Sequence, residues 1–146
     1  MILRAARSTD AGRVGAILSE FIDCTDWMPR IHTRAEDLAH AGALIERGWV
    51  TVVERADEVL GFAACDGEEL DALYVAEAER RQGVGTALLE TLKANRDRLT
   101  LWTFQANEGA QRFYRREGFA EVERTNGTRN DERLPDVRYV WHREDS

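Results

Sequence analysis

Between residues 80 and 86 the chain reads Arg80-Arg81-Gln82-Gly83-Val84-Gly85-Thr86, and an apolar helical stripe follows at once. Two arginines, one amide side chain and two glycines at the mouth of a helix are the ingredients of an anion site. A helix start presents unpaired N–H groups and a partial positive charge. Glycines let the preceding backbone aim several N–H groups at one point. Together these features bind phosphate. The positive charge is local, because the whole chain carries 20 Lys+Arg against 27 Asp+Glu, a net charge of −7. A small anion fits such a chain better than a long polyanion, so nucleic acid is not expected as its main partner.

Two common phosphate motifs fail here. A P-loop requires lysine after its second glycine, and Thr86 stands there instead. A dinucleotide fingerprint ends on glycine or alanine, and Leu88 occupies that place. The bland alternative is a turn that only starts a helix.

The surrounding elements must position this loop. Residues 2–6 read as a strand, and Ser8-Thr9-Asp10 offers helix caps before Val14, Ile17, Leu18 and Phe21 at helical spacing. A second helix starts at Thr33 and stops at Gly48. The period then changes to 2: residues 49–54, 59–65 and 68–75 read as a three-strand meander. Strict alternation along the third strand would put Glu69, Asp71, Leu73 and Val75 on one face. That strand leads into the glycine loop. A helix to about Asp97, a strand over 99–104, a helix over 108–117 capped by Asn107, and strands over 119–123 and 136–142 complete the chain. The order β-α-α-β-β-β-α-β-α-β-β implies an α/β fold with a mixed sheet and helices on both faces.

At 146 residues one domain is expected, able to bury about 68–70% of its unfolded surface. No apolar run approaches the 18 or so residues of a membrane span, and the start MILRAARSTDAGR lacks a leader's apolar region. A cytoplasmic protein, not a membrane one, is expected. Cys24 and Cys65 make no disulfide framework and read as two reduced, buried thiols. The three histidines do not cluster with them at metal-ligand spacing, so no metal is expected.

The segment Leu73-Tyr74-Val75, Glu77, then Arg80 to Leu89 resembles the strand-loop-helix signature of the GCN5-related N-acetyltransferase (GNAT) superfamily, of the small bacterial type. A second block, Asn107, Ala110, Phe113-Tyr114 and Gly118-Phe119, stands at the matching distance. Arg81 departs from the family, which often has glycine there. The resemblance implies a mostly antiparallel sheet splayed between its fourth and fifth strands. It implies acetyl-CoA as the cofactor, its diphosphate on the loop Arg80, Arg81, Gln82, Gly83, Val84, Gly85 and Thr86. Its pantetheine arm would lie along Leu73, Tyr74 and Val75, and Asn107 would add a contact. The Leu73 N–H would polarise the acetyl carbonyl, and Tyr114 would protonate the leaving thiolate. Glu69 first, and Asp71 second, would accept the amine's proton or orient the substrate. The loop after the first helix would touch the acceptor through Trp27 and His32. The implied reaction is direct acetyl transfer to a primary amine of a small molecule or peptide, by a chain that in this family can form a homodimer. A catalytically weak acyl-CoA sensor, another acyl group and a hydroxyl acceptor are the alternatives. A route through Cys24 or Cys65 is not required.

Overall fold

The computed structural model describes residues 1–80 and 82–144, so Arg81 lies outside the described residues. The elements run β1 (Ile2–Ala5), α1 (Ala11–Asp23), α2 (Arg34–Glu46), β2 (Val50–Arg55), β3 (Glu58–Asp66), β4 (Glu69–Val75), α3 (Val84–Ala94), β5 (Arg98–Phe104), α4 (Glu108–Arg116), β6 (Ala120–Thr125) and β7 (Asp136–His142). Short 3-10 turns at Ser8–Asp10 and Glu77–Glu79 precede α1 and the glycine loop. The order is that expected from the sequence.

Seven strands form one mixed sheet in the order β1-β2-β3-β4-β5-β7-β6. Neighbours are antiparallel except β4 and β5. Helices α3 and α4 cover one face, where Val84, Leu88, Leu89, Leu92 and Tyr114 pack on Leu70, Leu99, Leu101, Val137 and Tyr139. On the other face, Val14 and Ile17 of α1 and Ala41 and Leu44 of α2 pack on Val50, Val52 and Phe62. Each buried leucine contributes about 1.5–3 kcal/mol. The stripe Val84, Leu88, Leu89, Leu92 therefore clamps α3 to the sheet and fixes where its N-terminus points.

Helix α3 ends at Ala94 rather than near Asp97. Arginines take up its last carbonyls: Arg96 donates to Leu92 O at 3.0 Å, and Arg143 donates to Lys93 O and, at 2.8 Å, to Arg96 O. That satisfies the C-terminal carbonyls without another helical turn. Among the described residues, no helix is long and apolar enough to cross a membrane.

A one-residue irregularity in β4 corrects the expected strand phase. Cys65 pairs with Leu70 and Ala64 with Ala72, so Asp71 is an extra, unpaired residue. Such a bulge reverses the side-chain phase beyond it. Leu70, Leu73 and Val75 consequently pack on the α3/α4 side, while Ala72 and Tyr74 pack on the α1/α2 side. Glu69, Asp71, Leu73 and Val75 thus do not share a face.

Candidate active site

Strands β4 and β5 pair only at Glu69–Thr100 and Leu70–Leu101. Beyond these residues they part, as the splay requires. Ala76 N donates to Leu60 O at 2.8 Å, so strand alternation turns the amides of Tyr74 and Ala72 toward β3. The backbone groups of Leu73 and Val75 then face the gap. Tyr74 contributes its side chain on the α1/α2 side instead.

A cavity of about 800 Å³ fills this gap and continues to the start of α3. Arg80, Gly83, Val84, Gly85 and Thr86 line it from the start of α3, and Asn107, Phe113 and Tyr114 line it from the cap and body of α4. Gly83 caps α3 with φ +81°, a conformation that favours glycine, and supplies no side-chain cap. The first intrahelical bond is Ala87 N to Gly83 O at 3.0 Å. The amides of Val84, Gly85 and Thr86 are left without helical acceptors. A Cβ on Gly85 would lie 3.1 Å from Phe113 Cζ and 3.8 Å from Leu73 Cδ2, so glycine keeps the channel open. Arg80 is exposed at this end. Amide donors, a cation and a slot between strands fit a diphosphate with a thin acyl arm.

The side chains of the other loop candidates are buried or already engaged. Val84 has a buried side chain, so only its amide is available. Gln82 is exposed and accepts from Arg55 at 3.4 Å. The Thr86 hydroxyl donates to Glu117 at 3.4 Å. Asn107 caps α4, accepting from Ala110 N at 3.0 Å, a contact of about 1 kcal/mol.

Tyr114 is 7% exposed and borders the cavity, packed edge-on against Phe113 and Phe119. Its phenol makes no hydrogen bond among the described residues. Burial pushes its pKa above the ordinary phenol value, with Tyr74 adding to the rise. The group therefore keeps its proton well past neutral pH and can act as an acid but not as a base. Helix α4 is held in place by Gln111, whose side chain donates to Gln105 O at 2.8 Å and accepts from Tyr139 at 3.0 Å. Sequence reasoning missed Gln111; its signal is a polar residue one turn before Tyr114 on the helix's buried side.

The α1/α2 side of the gap carries the carboxylates. Asp71, at the bulge, lines the cavity. Glu69 accepts from the Thr100 hydroxyl and lies 3.4 Å from Arg138, at the point where β4 and β5 still pair. It does not line the cavity. Four rings bridge the gap on this side: Tyr74 to Phe21 at 4.8 Å, Phe21 to Trp27 at 6.4 Å, and Trp27 to Phe104 at 5.7 Å. Phe21, Phe104 and Trp102 line the cavity, and Trp27 stands behind Phe21 and Phe104. Burial, with Glu132 and Asp71 nearby, pushes the Tyr74 phenol up to about 12. Phe104 and Trp102 were not expected from sequence, although alternation with Leu99 and Leu101 puts both on the α1/α2 face.

Arg30 holds the loop that carries Trp27. It donates to Asp23 at 2.8 Å, to Asp37 and His32 O at 2.9 Å, and to Ser19 O at 3.2 Å. His32 itself is exposed beside Glu36 at 3.6 Å and does not line the cavity.

Both cysteines are free, but only Cys65 is buried. Cys24 is exposed, which corrects the expectation of two buried thiols. Its hydrogen bond to Glu77 at 3.4 Å raises its pKa and disfavours the thiolate a nucleophile needs. Among the described residues, no cluster of His, Cys, Asp and Glu could hold a metal.

A splayed β4–β5 pair with an amide cradle at the following helix is the architecture of an acyl-CoA-dependent transferase. A family model described as an acetyltransferase (GNAT) domain matches residues 46–121. The chain belongs to this family, and it is an acetyltransferase that uses acetyl-CoA. It is 32% identical over 119 residues to the peptidyl-lysine N-acetyltransferase YjaB of Escherichia coli, covering 80% of each chain. Its fold matches the solution structure of apo-YjaB from Escherichia coli with a TM-score of 0.81 at 24% identity, over 99% of this chain and 100% of the other. It also matches yncA from Salmonella typhimurium, solved with its cofactor acetyl-CoA, with a TM-score of 0.75 at 19% identity over 100% and 95%.

Proposed function

We propose that residues 1–146 act as one cytoplasmic acetyltransferase unit whose acceptor is the ε-amine of a peptidyl lysine. The carrying observation is a single cavity that joins the α3 cradle on one face of the sheet to Asp71 and the aromatic bridge on the other. The cofactor and amine then approach the gap from opposite faces. A slender alkylammonium suits a mouth lined by rings and a carboxylate, because ring faces and anions both attract cations. The name of the relative YjaB supports a lysine acceptor.

Acetyl-CoA supplies an activated acyl thioester. The amides of Val84, Gly85 and Thr86, with Arg80, hold its diphosphate. The Leu73 N–H faces the gap and stabilises charge developing on the acyl oxygen, an effect of about 2.7–4 kcal/mol. Asp71 accepts the amine's proton, directly or through one water. Glu69, tied to Thr100 and Arg138, braces the closed end of the gap, where β4 and β5 still pair. Tyr114 hands its proton to the departing thiolate.

The test is thiol release measured with three acceptors: an N-terminally blocked lysine peptide, a lysine-free peptide with a free N-terminus, and small amines. Release should be fastest with the blocked lysine peptide. A preference for the free N-terminus would overturn the lysine assignment. Tight coenzyme A binding with no acceptor-dependent release would favour a sensing module instead.

A further inference from the structure

The wall of the cavity contributed by α4 carries two cations that acyl transfer does not use. Arg112 and Arg116 are one helical turn apart and both border the cavity. Each has a defined place. The Arg116 guanidinium carbon lies 5.6 Å over the Phe113 ring, and that ring touches the Gly85 position at 3.1 Å. Arg116 is therefore one ring away from the first turn of α3. Arg112 reaches back over the start of α4, its Nη2 4.0 Å from where a Gly109 Cβ would stand.

Most arginines of this acidic chain are paired, including Arg4, Arg30, Arg55, Arg124, Arg138 and Arg143. Arg112 makes no ion pair or hydrogen bond among the described residues. Arg116 has only Glu117, at 4.0 Å. The other acid facing this end, Glu79, is paired with Arg55 at 2.8 Å. Two underused guanidinium groups thus share the lining of one cavity with Arg80, a gathering of like charge that a bound anion would relieve.

Coenzyme A carries three phosphates: two in the diphosphate, and one on the 3′ position of the ribose. The α3 amides and Arg80 answer the diphosphate. The 3′-phosphate is a monoester, with about 1.5–2 negative charges at neutral pH, and matches guanidinium donors. We propose that Arg112 and Arg116 receive this 3′-phosphate, so that the enzyme selects coenzyme A over its 3′-dephospho form. The proposal rests on the diphosphate occupying the α3 cradle.

Calorimetric titration with coenzyme A and with 3′-dephospho-coenzyme A tests it. The wild-type protein should bind coenzyme A roughly tenfold or more tightly than the dephospho form. The double variant Arg112→Gln, Arg116→Gln should lose roughly tenfold in coenzyme A affinity and bind the dephospho form within about twofold of wild type, removing the preference. The Arg112→Lys, Arg116→Lys variant should retain part of it. Both side chains are exposed, so circular dichroism should be unchanged. Equal wild-type affinity for the two ligands would overturn the proposal, as would equal weakening of both in the glutamine variant. Failure of both ligands to bind wild type would remove the cradle itself and this proposal with it.

Discussion

Tyr114→Phe is expected to lower kcat on the order of 10²-fold or more, with the KM for acetyl-CoA held within about twofold. The substitution removes one hydroxyl from a ring that is 7% exposed and packed by Phe113 and Phe119. The ring contacts survive, so folding and cofactor seating should too. Only the proton for the departing thiolate is lost. The sign of the pKa shift sharpens the test. Burial raises the phenol's folded-state value, so the acid form persists at higher pH than an ordinary tyrosine, which titrates near ~10. Wild-type kcat should therefore show no loss from this group as pH rises from neutrality toward ~10. Stopped-flow thiol release across that range measures both points. An unchanged rate in the variant would remove Tyr114 from the mechanism.

Gly85→Val should act on the cofactor instead. A Cβ at this position already lies 3.1 Å from Phe113 and 3.8 Å from Leu73, so the two valine methyls must enter the channel or displace those side chains. Overpacking of this kind costs about 1–3 kcal/mol. At 1.4 kcal/mol per tenfold, that corresponds to a loss of acetyl-CoA affinity on the order of 10–100-fold. Thermal unfolding separates the two routes. A large affinity loss with a small change in Tm means that the channel is blocked. Unchanged affinity would mean that the acyl arm does not pass Gly85.

Much of this was legible in the residues. Gly83 and Gly85 before the stripe Val84, Leu88, Leu89 and Leu92 are local signals, and local signals survive in sequence. Asn107 forms the cap on α4 that its residue type promised, and Thr33, where the second helix was expected to start, caps α2. The bulge at Asp71 was not legible. One extra residue leaves the composition of a strand unchanged yet reverses every side chain beyond it. That single insertion separates Asp71 from Leu73 and gives the two faces of the gap different chemistries. The aromatic bridge was hidden for another reason. Phe21, Trp27, Tyr74 and Phe104 come from four separate segments, and only the tertiary fold brings them together. Arg112 and Arg116 belong to no motif in the sequence, and only the fold shows that they border the cavity. Cys24 read as buried because cysteine usually is, but it falls in a loop held at the surface.

The most direct measurement is an amide-resolved NMR titration with coenzyme A. The amides of Val84, Gly85 and Thr86 should move most, with Leu73 and Val75 following, because these are the groups without protein acceptors along the cradle and the gap. If those five amides stay still while another region shifts, the cofactor does not lie where α3 begins, and the site described here is wrong.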